Sequence, residues 1–410
     1  MSKPRVRIQG FSGEWSESRL RDFTSRVVRK NTGLQSNLPL TVSAQYGLVG
    51  QDTFFNSRIA SSNLAGYYLL KKGEFAYNKS SSQGYPYGAV KRLDLHENGV
   101  LSTLYIVFDV DKEKVDSDYV VSYFDAATWH NEVRLRAAEG ARNHGLLNIS
   151  AEDFFDIKIL LPDNMDEQEA IGAFLKLLNQ DITNLTDKIT SLKSLKICYL
   201  SHLFPIGGGY EPSIRLKGFT GPWKRQKLED LLTIREDTAG DDYTKENVLS
   251  VSGDYGVVNQ IEFQGRSFAG ASISNYRVVN KGNVVYTKSP LKASPYGIIK
   301  TAKKEEGIVS PLYAVYDAKE NCDPDFVQTY FENKDRLNLY LRPLVNKGAK
   351  NTLLISDEGA LQGEVVFPEK DEQKAITEFF TQLDGLIRLH EEELEKLKSL
   401  KQSCLEGMFV

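Results

Sequence analysis

Gly73 precedes Lys79-Ser80, and Gly282 precedes Lys288-Ser289, so glycine, lysine and serine stand in the order of a phosphate loop. Such a loop needs glycine directly before lysine, so that backbone amides can wrap the anion. Asn78 and Thr287 hold that place, and a proline-containing segment follows where a helix should begin. The phosphate-loop reading is rejected. His96, His130, His144, His202 and His390 are scattered singly, with no spacing for a metal or a nucleophilic dyad. Cys198, Cys322 and Cys404 have no ligand-like neighbours, which speaks against a metal site or a disulfide framework and for a reducing cytoplasm. No catalytic residue and no metal ligand is assigned.

A different chemistry gathers beside turns. Tyr85, Tyr87 and Lys91 return later in the chain as Ser294, Tyr296 and Lys300, Lys79 returns as Lys288, and Arg142-Asn143 returns as Lys350-Asn351. Basic and amide side chains suit DNA phosphates and base edges. The alternative for each residue is a half-buried sheet tyrosine or an ordinary surface lysine. As a set they form a candidate DNA-binding group, because the same loops carry Lys or Arg in both copies. Other loops diverge, namely Gln51 to Arg58 against Asn259 to Arg266, and Ser80 to Tyr85 against Ser289 to Ser294. Arg58 and Arg266 join the candidates on that ground. Two scaffolds of one fold with different loop chemistry suit two different target sequences.

These residues must be held by a duplicated scaffold. Arg7-Ile-Gln-Gly-Phe-Ser-Gly-Glu-Trp15 returns as Arg215-Leu-Lys-Gly-Phe-Thr-Gly-Pro-Trp223, and Pro86-Tyr87-Gly88 as Pro295-Tyr296-Gly297. Pro162 with Glu167-Gln168 returns as Pro368 with Glu372-Gln373, and Leu-Lys-Ser-Leu-Lys occurs at both 192–196 and 397–401. Two copies of so long a unit make tandem modules rather than a solenoid. The first part of each copy is rich in Tyr, Val, Ile and Phe with frequent turn glycines. Glu74–Tyr77, Leu104–Phe108 and Val284–Tyr286 read as strands, and Asp118–Ala127 and Asp325–Lys334 as amphipathic helices, giving an α+β fold.

Each copy ends in a rod. Ile171, Leu178, Leu185 and Leu192 continue a three-four spacing, as do Leu383, Leu394 and Leu397, and that spacing is a coiled-coil seam. Asn164 and Glu167 are placed to form a capping box. A helix of ~38 residues is ~57 Å long, and Gly207-Gly208-Gly209 lets the chain turn after the first one. The expected organisation is a globule over 1–163, a helical spacer over 164–206, a second globule over 207–369 and a second spacer over 370–410. The two long helices are expected to form an antiparallel coiled coil.

Charge does not advertise a free-standing nucleic-acid binder. Of the 410 residues, 1–210 carry 24 basic and 24 acidic side chains and the remainder 27 and 31, for a formal net charge of −4. DNA affinity rests largely on phosphate neutralisation, so either this chain is not such a binder, or its basic residues are local and a partner supplies much of the phosphate contact. No apolar run is long enough for a membrane span and no signal-peptide pattern opens the chain, so a soluble cytoplasmic protein is expected.

The Gly-x-Trp opening, the Lys-Gly-x-x-x-Tyr-x-Lys-Ser segment, the Gly-Ala-Arg/Lys-Asn segment and the Pro…Glu-Gln-x-x-Ile approach to a long helix occur together and twice. Over essentially its whole length the chain therefore resembles the specificity subunit of type I restriction-modification systems. The resemblance implies two target-recognition domains, each reading one half of a bipartite double-stranded DNA site in the major groove. It implies two methylation subunits docked on the helices, with Leu178, Leu185, Leu192, Leu383, Leu394 and Leu397 as the candidate residues, and two restriction/translocase subunits. S-adenosylmethionine, ATP and Mg are then expected on those partners, with no cofactor on this chain. The Asn-Pro-Pro-aromatic tetrapeptide of adenine methyltransferases is absent, in keeping with a non-catalytic role. A structural adaptor joining two proteins, and the recognition arm of a fused restriction-methylation enzyme, stay open as rivals.

Overall fold

Short runs of Val, Ile, Phe and Tyr between turn residues become short antiparallel strands in both halves of the chain. The computed structural model describes residues 3–55, 60–61, 63–82, 84–137, 147–291, 294–347 and 353–409. The chain divides into two units, Met1–Thr186 with Glu392–Val410, and Asp187–Glu391.

In unit 1, Trp15–Arg19 pairs with Lys158–Pro162. A four-stranded sheet runs Thr24–Arg26, Ile106–Val110, Phe75–Asn78, Ala89–Arg92. A hairpin, Leu40–Ser43 with Gly47–Gly50, and a pair, Tyr68–Lys71 with Asn98–Leu101, complete the strands described here. Both faces of the central sheet are buried, which follows from side chains alternating along a strand. Phe75, Tyr77 and Phe108 pack with the helices Ser117–Asp125 and Trp129–Arg136, while Ala76, Ala89 and Val107 pack with the hairpin and pair. The expected strands are present as Phe75–Asn78 and Ile106–Val110, and the first expected helix as Ser117–Asp125.

Unit 2 repeats the plan. Lys224–Lys227 pairs with Glu364–Phe367, and the four-stranded sheet runs Leu232–Ile234, Tyr313–Ala318, Val284–Thr287, Ile298–Thr301. The hairpin is Leu249–Ser252 with Gly256–Asn259, and the pair is Arg277–Val279 with Gly307–Val309. The helix expected over Asp325–Lys334 stops at Phe331, and a second begins at Lys334. Asn333 causes the division, because its side chain caps the second helix by accepting a hydrogen bond from Arg336 N at 3.0 Å.

The repeated segments now have physical reasons. The Arg7 guanidinium makes two bonds of 2.7 Å to Glu167 and also donates to Ser12 O and Gly13 O. Arg215 does the same to Glu372, Thr220 O and Gly221 O. The Gly-Phe-x-Gly-x-Trp turn is thereby clamped to the first turn of each long helix. Asn164 accepts from Asp166 N at 2.7 Å, but Glu167, expected to complete a capping box, is taken by Arg7 instead. Gln168 donates to Pro162 O and accepts from Asp116 N, and Gln373 joins Pro368 O and Asp323 N in the same way. Gly88 and Gly297 have φ of 79° and 91°, and a Cβ on either would collide with the carbonyl oxygen of Asn78 or Thr287. Gly297→Ala is therefore expected to cost at least ~2 kcal/mol in stability, from left-handed strain together with the backbone clash. A denaturant midpoint unchanged by the substitution would contradict this packing.

The long helices are Met165–His202 and Lys370–Met408. The unit boundaries fall inside them, so each helix contributes its early part to one unit and its late part to the other. In unit 2 the pairs Lys193–Glu391 at 2.6 Å and Lys196–Asp384 at 2.7 Å, with Tyr199 edge-on to Phe379, run in opposite sequence directions, so the helix segments there are antiparallel. Leu200, Leu203 and Phe204 finish the core formed by Trp223, Phe326 and Tyr330. In unit 1 the corresponding Leu405, Met408 and Phe409 finish the core around Trp15, Tyr119 and Tyr123. The tail of each long helix is therefore part of a core.

Candidate nucleic-acid interface

The sequence-selected lysines have partners inside the fold. Lys79 follows the strand Phe75–Asn78 and its ammonium donates to Ile149 O at 3.3 Å. Lys288, at the same place in unit 2, bonds Asp357 at 2.8 Å, a carboxylate that also lies 3.7 Å from Arg277. Lys91 bonds Asp125 at 2.7 Å, and Asp125 is also bonded by Lys401 at 3.1 Å. Unit 2 repeats this cluster with Glu332 between Lys196 at 3.1 Å and Lys300 at 3.9 Å. Each cluster joins a sheet lysine, the end of a covering helix and the tail of a long helix.

These charges set one another's protonation. Burial works to raise the Asp125 carboxyl, but Lys91 and Lys401 outweigh it and hold it below the usual carboxylate range. Glu332 is lowered in the same way, against its burial, chiefly by Lys196 and Lys300. Burial pushes the Lys300 ammonium down, helped by Lys196 and Lys303 and opposed by Glu332. A carboxylate lowered on folding stabilises fully above its unfolded value near pH ~4, and that stabilisation is lost as pH falls through the folded value. Lys401→Gln should therefore raise Asp125, start acid unfolding at a higher pH, and cost ~1–3 kcal/mol at neutral pH. An acid titration followed by near-UV circular dichroism, with no movement of the midpoint, would count against the cluster.

Tyr85 is half-buried and packs on the hydrophobic cluster that holds Val42 and Leu48 of the hairpin and Ala89 of the central sheet. The Tyr87 ring lies 5.1 Å from His130, and its carbonyl accepts the Tyr77 hydroxyl at 2.8 Å. Tyr296 O accepts from the Tyr286 hydroxyl at 2.7 Å in the same geometry. Arg266 is exposed, with its guanidinium 4.6 Å from the centre of the Phe268 ring. Arg58, Arg142, Asn143, Lys350 and Asn351 lie outside the described residues. The structure thus joins Lys91 to Asp125 and Lys300 to Glu332, and sets Tyr85 over the same core as the hairpin.

Sequence reasoning passed over an aromatic group at that hairpin. Tyr46 at its turn and Phe54 just after it are exposed in unit 1, and Tyr255 and Phe263 are exposed in unit 2. A signal was present, since Tyr46-Gly47 and Tyr255-Gly256 each interrupt alternating short runs and so mark an aromatic residue at a turn. Of the leucines expected to meet partners, Leu178, Leu185, Leu383 and Leu394 are buried, and Leu192 and Leu397 are half-buried. The same helices expose Leu177, Ile197 and Leu389 on other faces. Among the described residues there is no cluster able to hold a metal ion and no helix long and apolar enough to cross a membrane.

No protein-family model and no curated protein sequence matches the chain. Solved structures do match over nearly its whole length. The type I restriction-modification system S subunit from M. genitalium superposes with a TM-score of 0.59 at 12% identity, covering 100% of this chain and 99% of that one. The HsdS subunit from Thermoanaerobacter tengcongensis gives 0.46 at 15% identity over 98% of each chain. A structure concerned with complex assembly and conformational transition of the type I R-M system gives 0.48 at 14% identity over 97% of this chain and 98% of that one. The first of these shows that the chain has the fold of a type I S subunit.

Proposed function

We propose that this protein is the DNA-specificity subunit of a type I restriction-modification complex, with each unit reading one half of a bipartite site. The observation that carries the reading is the pattern of the duplication. Residues shared by the two copies, such as Arg7 and Arg215 or Gly88 and Gly297, serve the fold, while the segments 51–58 and 259–266, and 80–85 and 289–294, differ in sequence. Two equal scaffolds with unequal surfaces suit a target of two unequal halves. The S-subunit fold over the whole chain supports the same reading.

Within it, Arg266, Tyr85 and the half-buried Lys79 have surface to offer DNA. Lys91, Lys288 and Lys300 would have to leave a carboxylate first. The buried leucines hold the long helices in place, and the outward Leu177, Ile197 and Leu389 offer apolar area to methylation subunits. S-adenosylmethionine, ATP and Mg act on the partner subunits, and this chain alone neither methylates nor cuts DNA. An adenine-methylation map of a host carrying the methylation subunit, with and without this chain, tests the proposal. A bipartite motif that appears only with the chain is expected. Identical maps, or S-adenosylmethionine turnover by the pure chain, would overturn it.

A further inference from the structure

Six exposed aromatic rings have no place in either core, and two of them in each unit, Tyr46 with Phe54 and Tyr255 with Phe263, fall at matching positions. In unit 1 the hairpin turns at Tyr46, which is 66% exposed, with its ring 6.3 Å from Phe54 on the short helix Gln51–Phe55. Phe54 meets Phe55 edge-on at 4.8 Å. In unit 2 Tyr255 is 72% exposed and lies 5.5 Å from Phe263 on the helix Gln260–Gln264, with Phe268 and Arg266 just beyond. None of these rings belongs to a hydrophobic core cluster. Leaving aromatic area in water at the same place twice adds nothing to folding, and such patches mark interaction sites.

We propose that these hairpin tips enter the major groove of DNA, where Tyr46 and Tyr255 make apolar contact with base edges, one in each half-site. The inference rests on the DNA-reading function above and names the surface that performs it. Shape favours it first, because a two-stranded ribbon fits the major groove and aromatic side chains pack against thymine methyl groups there. Charge limits the kind of contact. Residues 44–55 contain Asp52 and no cation, and residues 253–268 contain Asp254 and Glu262 beside Arg266, so neither tip neutralises phosphate. The tips therefore offer apolar contact area rather than phosphate neutralisation. The surroundings of the retained rings also differ, with Asp52 and Phe55 in one unit replaced by Ile261 and Gln264 in the other. Gln51 and Gln260 are spent internally, on Leu40 O and Ser250 Oγ, and so hold the short helix to the hairpin.

The test uses the full chain assembled with its methylation subunits, comparing wild type with Tyr46→Ala, Tyr255→Ala and the conservative Tyr46→Phe. Readouts are the methylation map and duplex binding at two salt concentrations. Each alanine variant should lose about 5- to 100-fold in affinity or discrimination, confined to positions of one half-site, with the half differing between the two variants. The salt slope should stay unchanged, since no phosphate contact is removed. Tyr46→Phe should retain most of the wild-type behaviour. If wild type gives a bipartite motif and both alanine variants reproduce its motif and affinity, the tips do not read DNA, although the subunit does. Folded variants that fail to join the methylation subunits would make the tips a protein-docking surface and overturn the proposal. A wild-type complex with no bipartite motif removes the proposal and the function together.

Discussion

Exchanging one recognition module for that of a related chain should rewrite one half of the methylated motif and leave the other half intact. The physical basis is that each unit carries its own core, its own central sheet and its own hairpin, so a change inside one need not disturb side chains of the other. The join must be chosen with care. A second module cut at 207–369 would still have to accept Leu200, Leu203 and Phe204 into its core. A donor with different volumes facing Phe204 should lose ~1–3 kcal/mol from overpacking or from a cavity. Carrying the donor's own residues 196–204 with its module should restore that stability. Methylation maps of both joins provide the measurement, and a swap that rewrites both halves of the motif would end the modular account.

Arg7→Ala should be among the most damaging single substitutions in unit 1. Glu167 is 2% exposed, and the guanidinium supplies both of its ion-pair bonds while also holding two turn carbonyls. Removing one partner of a buried pair leaves the other charge uncompensated, at ~3–5 kcal/mol. The value here should be ~3 kcal/mol, because Glu167 sits in the first turn of a long helix where the helix dipole favours an anion. Arg7→Lys should recover little, since an ammonium cannot span the carboxylate and the carbonyls together. Thermal unfolding checks it, with a fall of roughly 6–12 °C expected for a unit of this size. A fall of a degree or two would show that the clamp contributes little. The double variant Arg7→Met with Glu167→Gln should be less harmful than Arg7→Ala, because no buried charge is stranded.

The fold was largely legible because duplication supplies its own control. A motif that returns 208 positions later, as Arg7 does at Arg215, has a reason, and here the reason is tertiary. The rods were legible from spacing alone, since three-four periodicity over so many turns admits few alternatives. The break at Asn333 was not, because the apolar pattern continues across it and only the capping bond reveals the stop. The site was harder to read. Recurrence drew the eye to Lys91 and Lys300, yet recurrence between modules with different loops also marks what those modules share structurally. Their partners Asp125 and Glu332 lie more than thirty residues away, and Lys401 lies 276 residues from Asp125, so no local pattern could announce them. Tyr46 and Tyr255 were visible as repeats, but exposure rather than recurrence makes them candidates, and exposure is not written in a sequence.

The late closure of unit 1 bears on how the chain is made. Its sheet and covering helices are synthesised first, yet its core lacks Leu405, Met408 and Phe409 until the second long helix has been made. Unit 2 is built of residues 187–391. At about 5–20 residues per second, elongation keeps the earlier half waiting for on the order of ten seconds or more with Tyr119 and Tyr123 uncovered. The half translated first is thus the half finished last.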